Sequence, residues 1–157
     1  ISYEKDPTNR SKLYPGVRDF LQTLQLSGIK MGVCTNKPIG LTRKIVAEMA
    51  IHHYFGNAIL GGDSLNIRKP NPEHVIRVIE LMGIQTNNVI MVGDSETDVK
   101  AARAAGIPIV VVDYGYSSIP PDLLGADALI SSFFEEFFFE TATKAGLSNL
   151  SPSIYPA

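Results

Sequence analysis

Residues Val89 to Asp98 read VIMVGDSETD, and this stretch decides the fold. A short apolar run, VIMV, stops at Gly93 and Asp94, and a helical pattern, SETDVKAARAAG, then runs from Ser95 to a stop at Gly106. An apolar run of that length bounded by glycine predicts a buried strand, and the alanine-rich segment after it predicts a helix. Asp94 is therefore expected at the carboxyl end of a strand, where open α/β sheets place their ligands. A carboxylate there, beside a glycine with no side chain to crowd it, suits a hard cation such as Mg²⁺.

Similar units recur along the chain. Pro15 and Gly16 lead into a helix carrying Val17, Phe20, Leu21 and Leu24 and stopping at Gly28. IKMGVCT reads as a buried strand ending at Thr35, and Ile39 to Met49 as an amphipathic helix. Ala58 to Leu60 is a short strand closed by Gly61, Gly62 and Asp63. Pro70 and Pro72 precede a helix from about Glu73 to Met82, closed by Gly83. PIVVVDYG is another buried strand, with a brief ALI run near Ala128. Strands alternating with helices predict an α/β fold: a Rossmann-like, three-layer α/β/α core with a mainly parallel sheet. Residues 1–13 read as a polar linker rather than a strand, 14–145 as the core domain, and 146–157 as a turn-rich tail.

Composition narrows the function. The 157 residues suit one domain, 45% hydrophobic and 19% charged, as expected of a soluble globular protein. A net charge of −2 with no basic cluster argues against binding nucleic acid. No apolar run approaches the roughly 20 residues that cross a bilayer, and the single Cys34 suits a reducing compartment. The expectation is a cytoplasmic protein with a small-molecule partner and no membrane or nucleic-acid partner; oligomeric state is not legible.

The candidate residues each have a plain structural reading. Ser95 reads as a helix cap, and Asp98 as the other half of a capping-box-like pair; a cap leaves Asp94 unaccounted for, so Asp94 is the preferred metal ligand with Asp98 in support. Thr35 and Asn36 lie where a hydroxyl and free N–H groups make an anion site, or simply cap a helix. Lys69, in RKPNPEH, is either delivered to a fixed place by its prolines or exposed like its neighbour Arg68. His52 and His53 read as a helix end, Cys34 as a small apolar residue, and Phe133, Phe134, Phe137 and Phe138 as one packed helical face.

Taken together, VCTNKP, RKPNPEH and VGDSETD, in that order and at strand ends, resemble the haloacid dehalogenase-like phosphatases. YPGV, TNKP, GGDSL, ARAAG and YGY (Tyr114 to Tyr116) are similar to the phosphoglycolate phosphatase family, over roughly Tyr14 to Phe139. The resemblance implies a Mg²⁺-dependent phosphatase that hydrolyses a small phosphomonoester, 2-phosphoglycolate first, through an aspartyl-phosphate. It implies catalytic roles for Thr35, Lys69 and Asp94. Thr35, Asn36 and Lys69 would bind phosphate, and Asp94 and Asp98 would hold the metal and its water shell.

The family's first motif, DxDGT, has no match: Asp6, Asp19, Asp63 and Asp113 all lack its second Asp and Gly-Thr. In the family that motif ends the central strand, with a helical cap inserted after it. First strand, cap, nucleophile and acid/base are thus expected to be missing, and residues 1–13 to be the return from the cap. Two flanking strands would then keep unpaired backbone groups or pair with each other, leaving a chain of poor stability with no turnover of its own. Two alternatives remain: a catalytically inactive fragment that only binds phosphate or a partner, and a phosphatase or phosphomutase acting on a sugar phosphate.

Overall fold

The computed structural model describes residues 3–5, 11–115, 117–134, 139–141 and 143. Its first elements correct the linker reading: β1 (Tyr3–Lys5) and β2 (Ser11–Leu13) pair antiparallel, Tyr3 opposite Leu13. A ladder uses backbone groups that a polar sequence supplies as well as an apolar one, so no alternation announced it.

The helices form where spacing and caps place them. They are α1 (Val17–Leu26), α2 (Ile39–Glu48), α3 (Pro72–Met82) and α4 (Glu96–Ala105). Asn71 caps α3 by accepting from the Glu73 N–H at 3.0 Å, with Pro72 at the first helical position. Ser95 caps α4 by accepting from the Asp98 N–H at 3.3 Å. Gly83 and Gly106 end α3 and α4 in the left-handed region, at φ 65° and 70°.

One sheet holds β5 (Met91–Gly93), β6 (Ile109–Val112) and β7 (Ala128–Ile130), all parallel, with β6 in the middle. Strand alternation sends Ile109 and Val111 to one face, against Val75 and Ile79 of α3 and Val99 of α4. Val110 and Val112 face the other way, against Val17 and Phe20 of α1 and Phe133. Helices therefore cover both faces of β6, giving the expected α/β/α layering, and no β6 residue is more than 1% exposed. The second parallel sheet is β3 (Val33–Cys34) beside β4 (Ile59–Leu60), packed under α2 through Ile45 and Val46.

The two sheets are not joined. Among the described residues β3 pairs only with β4, and β5 only with β6. Their other edges line one apolar cavity of about 270 Å³, shared with Phe20 and Leu24 of α1 and Val78 of α3. Met31, Gly32, Val89 and Ile90 make no backbone–backbone hydrogen bond among the described residues. Of the two outcomes expected for flanking strands, they keep unpaired edges and do not close on each other.

This open seam corrects two readings. Of Ile29–Thr35 only Val33–Cys34 is strand and only Val33 is buried. None of Val89, Ile90, Met91 and Val92 is buried, and Val92 is 38% exposed. Their apolar character matches a strand covered on both sides, but among the described residues one side has no neighbouring strand. The aromatic run also departs from one helical face: Phe133 is buried against Phe20, while Phe134 is 60% exposed, and neither is helical. Phe137, Phe138 and the 146–157 tail lie outside the described residues.

The seam predicts a graded pattern of amide hydrogen exchange. Amides of Val110 to Val112 should exchange slowest, at the rate of global unfolding, while those of Met31, Gly32, Val89 and Ile90 exchange with little protection. Equal protection along both sets would contradict an open seam.

Candidate functional site

β3 delivers Cys34 and then Thr35 to its carboxyl end. The Thr35 N–H still belongs to the sheet, donating to the Leu60 carbonyl at 3.1 Å. Its hydroxyl oxygen accepts from the Lys37 N–H at 3.2 Å, a local turn that leaves the O–H hydrogen available as a donor. The Asn36 side chain donates from Nδ2 to the Lys69 carbonyl at 2.9 Å, fastening the lysine loop to the end of β3.

Lys69 is not a surface lysine. It is 8% exposed, whereas Arg68 beside it is exposed. Its ammonium donates to the Cys34 carbonyl at 2.7 Å and to Asp98 Oδ1 at 2.6 Å. Two of its three N–H bonds are thereby used, and the group is held at the junction of the two sheets.

Asp98 does more than cap α4. Its other oxygen, Oδ2, accepts from the Asp94 N–H at 3.1 Å and the Ser95 hydroxyl at 2.9 Å. In a capping box this carboxylate would take the N–H of the cap residue itself; here it takes that of the residue before it. Burial alone would push the Asp98 carboxyl up. The Lys69 ammonium and the hydrogen bonds from Lys69, Asp94 and Ser95 outweigh burial and hold it below its ordinary value. Gly93 leaves room for this carboxylate, since a Cβ there would lie 2.6 Å from Asp98 Cβ. Asp94 follows directly, half-buried at the end of β5, with Gly115 against its side chain.

Sequence reasoning passed over His74, which is fully buried. Its Nε2 lies 2.9 Å from the Gly61 carbonyl, which can only accept, so that nitrogen carries the proton. The neutral ring then accepts at Nδ1 from the Cys34 thiol at 3.4 Å. Burial, with the Lys69 charge, outweighs the Gly61 bond and holds the imidazole below its ordinary value; burial likewise pushes the Cys34 thiol up to about 11. A histidine on the first turn of an apolar helix gave no signal of this. Cys34 is thus a hydrogen-bonded thiol rather than a merely apolar filler, and His52 and His53 form an exposed turn.

Thr35, Asn36, Lys69, Asp94 and Asp98 thus meet through a continuous chain of contacts. Cys34, next to Thr35, binds Lys69; Lys69 binds Asp98; Asp98 binds the Asp94 backbone. Among the described residues no three His, Cys, Asp or Glu side chains cluster to hold a metal. Mg²⁺ keeps several waters and takes one or two carboxylates, so Asp94 fits it as a single ligand. Asp98 is itself committed to Lys69, Ser95 and the Asp94 N–H.

A model of the haloacid dehalogenase-like hydrolases matches residues 4–106. The chain is 40% identical over 131 residues to a phosphoglycolate phosphatase of Rhodospirillum rubrum, covering 83% of this chain and 54% of that relative. It is 40% identical over 105 residues to the phosphoglycolate phosphatase of Escherichia coli, covering 67% and 41%. The chain thus spans about half the length, or less, of these curated relatives. A crystal structure described as a predicted phosphoglycolate phosphatase from Haemophilus somnus superposes with a TM-score of 0.77 at 33% identity, covering 84% of this chain and 59% of that one. No helix among the described residues is long and apolar enough to cross a membrane.

Two predictions come from the buried pair and its neighbours. Asp98→Asn leaves the Lys69 ammonium buried without its counter-charge and should cost about 3–5 kcal/mol in urea unfolding. The second concerns acid. The unfolded imidazole protonates near 6.5 while His74 in the fold resists, so stability should begin to fall below that pH, and His74→Gln should remove this first decline. The Asp98 contribution is complete above the unfolded value of 3.8 and is lost as pH falls through its lower folded value. Unfolding midpoints that do not change with pH across both windows would contradict these assignments.

Proposed function

This chain belongs to the haloacid dehalogenase-like hydrolases, and on that premise we propose that it supplies the phosphate- and cation-binding part of a phosphatase acting on 2-phosphoglycolate. The observation that carries the reading is the buried Lys69, fixed between Asp98 and the carbonyl of Cys34, the residue just before Thr35, with one N–H to spare. The names of the relatives support the substrate.

Each residue has a distinct part. The Thr35 hydroxyl and the Asn36 N–H donate to oxygens of the transferring phosphoryl group. The third N–H of Lys69 neutralises charge that accumulates on those oxygens, and its burial makes that charge count for more than it would in water. Asp94 would hold Mg²⁺, which when bound would polarise a phosphoryl oxygen and orient the group for in-line attack. Asp98 positions Lys69 with one oxygen and Asp94 with the other.

The attacking carboxylate comes from outside these 157 residues. Among the described residues Asp63 accepts from the Ile39 N–H and Asp113 from Ser131, and neither has a second carboxylate two positions on. In the reaction proposed, a carboxylate oxygen forms a bond to phosphorus as the bond to the substrate oxygen breaks. The departing glycolate takes a proton from the general acid, and water then hydrolyses the aspartyl-phosphate.

Thr35→Val keeps the shape of the side chain and removes its hydroxyl. In a polypeptide that carries the attacking carboxylate, it should lower kcat/KM for 2-phosphoglycolate about 10²–10³-fold with the fold unchanged. Wild-type rates in that variant would overturn the assignment. The 157-residue chain with Mg²⁺ should show no turnover, and hydrolysis by it at ordinary enzymatic rates would overturn the external nucleophile.

A further inference from the structure

We propose that Gly115 is a positioning residue that sets where the Asp94 carboxylate stands. Gly115 lies in the turn after β6, half-buried, and its backbone φ is not in the left-handed region. Nothing in its conformation requires glycine. What requires it is space: a Cβ at Gly115 would overlap Asp94 Cβ and lie 2.9 Å from Cγ and 3.0 Å from Oδ2. The first atom met is Cβ, which is fixed to the backbone and cannot swing aside like the end of a long side chain.

Neither side of this contact is free to yield. The Asp94 N–H is held by Asp98, which is held by Lys69. The turn bearing Gly115 is pinned as well. The Asp113 N–H donates to the Ile130 carbonyl at 2.9 Å, and Asp113 Oδ2 accepts from the Ser131 hydroxyl at 2.5 Å. The Tyr114 ring packs on Tyr14 with centroids 4.5 Å apart. Close-packed protein transmits such a strain rather than absorbing it. A methyl group at position 115 therefore displaces Asp94, and with it any cation the carboxylate holds. That last consequence rests on the cation role proposed for Asp94; the steric relation does not.

The test uses the 157-residue chain with ¹³C-labelled aspartate carboxyls. Gly115→Ala should shift the Asp94 Cγ resonance, leave the distant Asp127 Cγ unmoved, and weaken Mn²⁺ binding, read as broadening at Asp94, about 10–100-fold. Gly40→Ala, a helical position with no heavy atom within 4 Å of an added Cβ, should change none of these. An Asp94 resonance and Mn²⁺ affinity unaltered in Gly115→Ala overturn the proposal. A wild-type chain that shows no Mn²⁺ broadening at Asp94 counts against the cation reading alone, and the Cγ shift then decides the role of Gly115. Should Gly115→Ala weaken the fold, Asp94→Gly in the same chain should restore it by removing the overlapping Cβ. Failure of that rescue also overturns the proposal.

Discussion

The ion pair between Lys69 and Asp98 is the constraint on which the rest depends. It joins the carboxyl end of β3, through the Cys34 carbonyl, to the start of α4 and the end of β5. Among the described residues those strands belong to sheets that share no backbone ladder. Two charges removed from water need excellent geometry and further hydrogen bonds to be tolerated. Asp98 obtains them from Asp94 and Ser95, and Lys69 from Cys34. Across the seam, this polar junction at one end complements the apolar contacts that α1 and α3 make along the cavity.

The junction also gives the site its chemistry. An ammonium fixed by two acceptors cannot follow solvent, so its remaining N–H has a defined direction. Thr35 is the residue after Cys34, and Asp94 is bonded to Asp98 through its backbone, so both are placed by the same pair. Small residues complete the arrangement: Gly93 makes room for Asp98, and Gly61 and Gly62 let the end of β4 approach Lys37 and Asn36. The groups proposed to bind phosphate and the candidate cation ligand thus belong to one packed junction rather than to separate loops.

Much of this was legible in the sequence, for physical reasons. Helix limits followed from local signals, such as Asn71-Pro72, Ser95 and the glycines after α3 and α4, which act within a turn or two. β6 was legible because its unbroken apolar run matches a strand covered on both faces and both edges. β3 and β5 carry similar runs, yet their burial depends on a neighbour that pattern alone does not supply. Lys69 was legible as a candidate and not as a buried group, because burial of a charge is decided by partners distant in the chain. His74 was missed since its partners, Cys34 and Gly61, are brought to it only by the fold. The β1–β2 pair was missed because backbone ladders leave no mark on side-chain pattern.

The central claim is spatial: Thr35, Lys69 and Asp94 face one phosphate-sized space at the ends of β3 and β5. A crystal structure of the chain soaked with orthophosphate and Mg²⁺ tests it most directly. The account predicts a phosphate oxygen within hydrogen-bond distance of the Thr35 hydroxyl and another within that distance of Lys69 Nζ, with Asp94 facing the same ion. Lys69 turned to solvent, or phosphate bound elsewhere with the three side chains pointing apart, would contradict it.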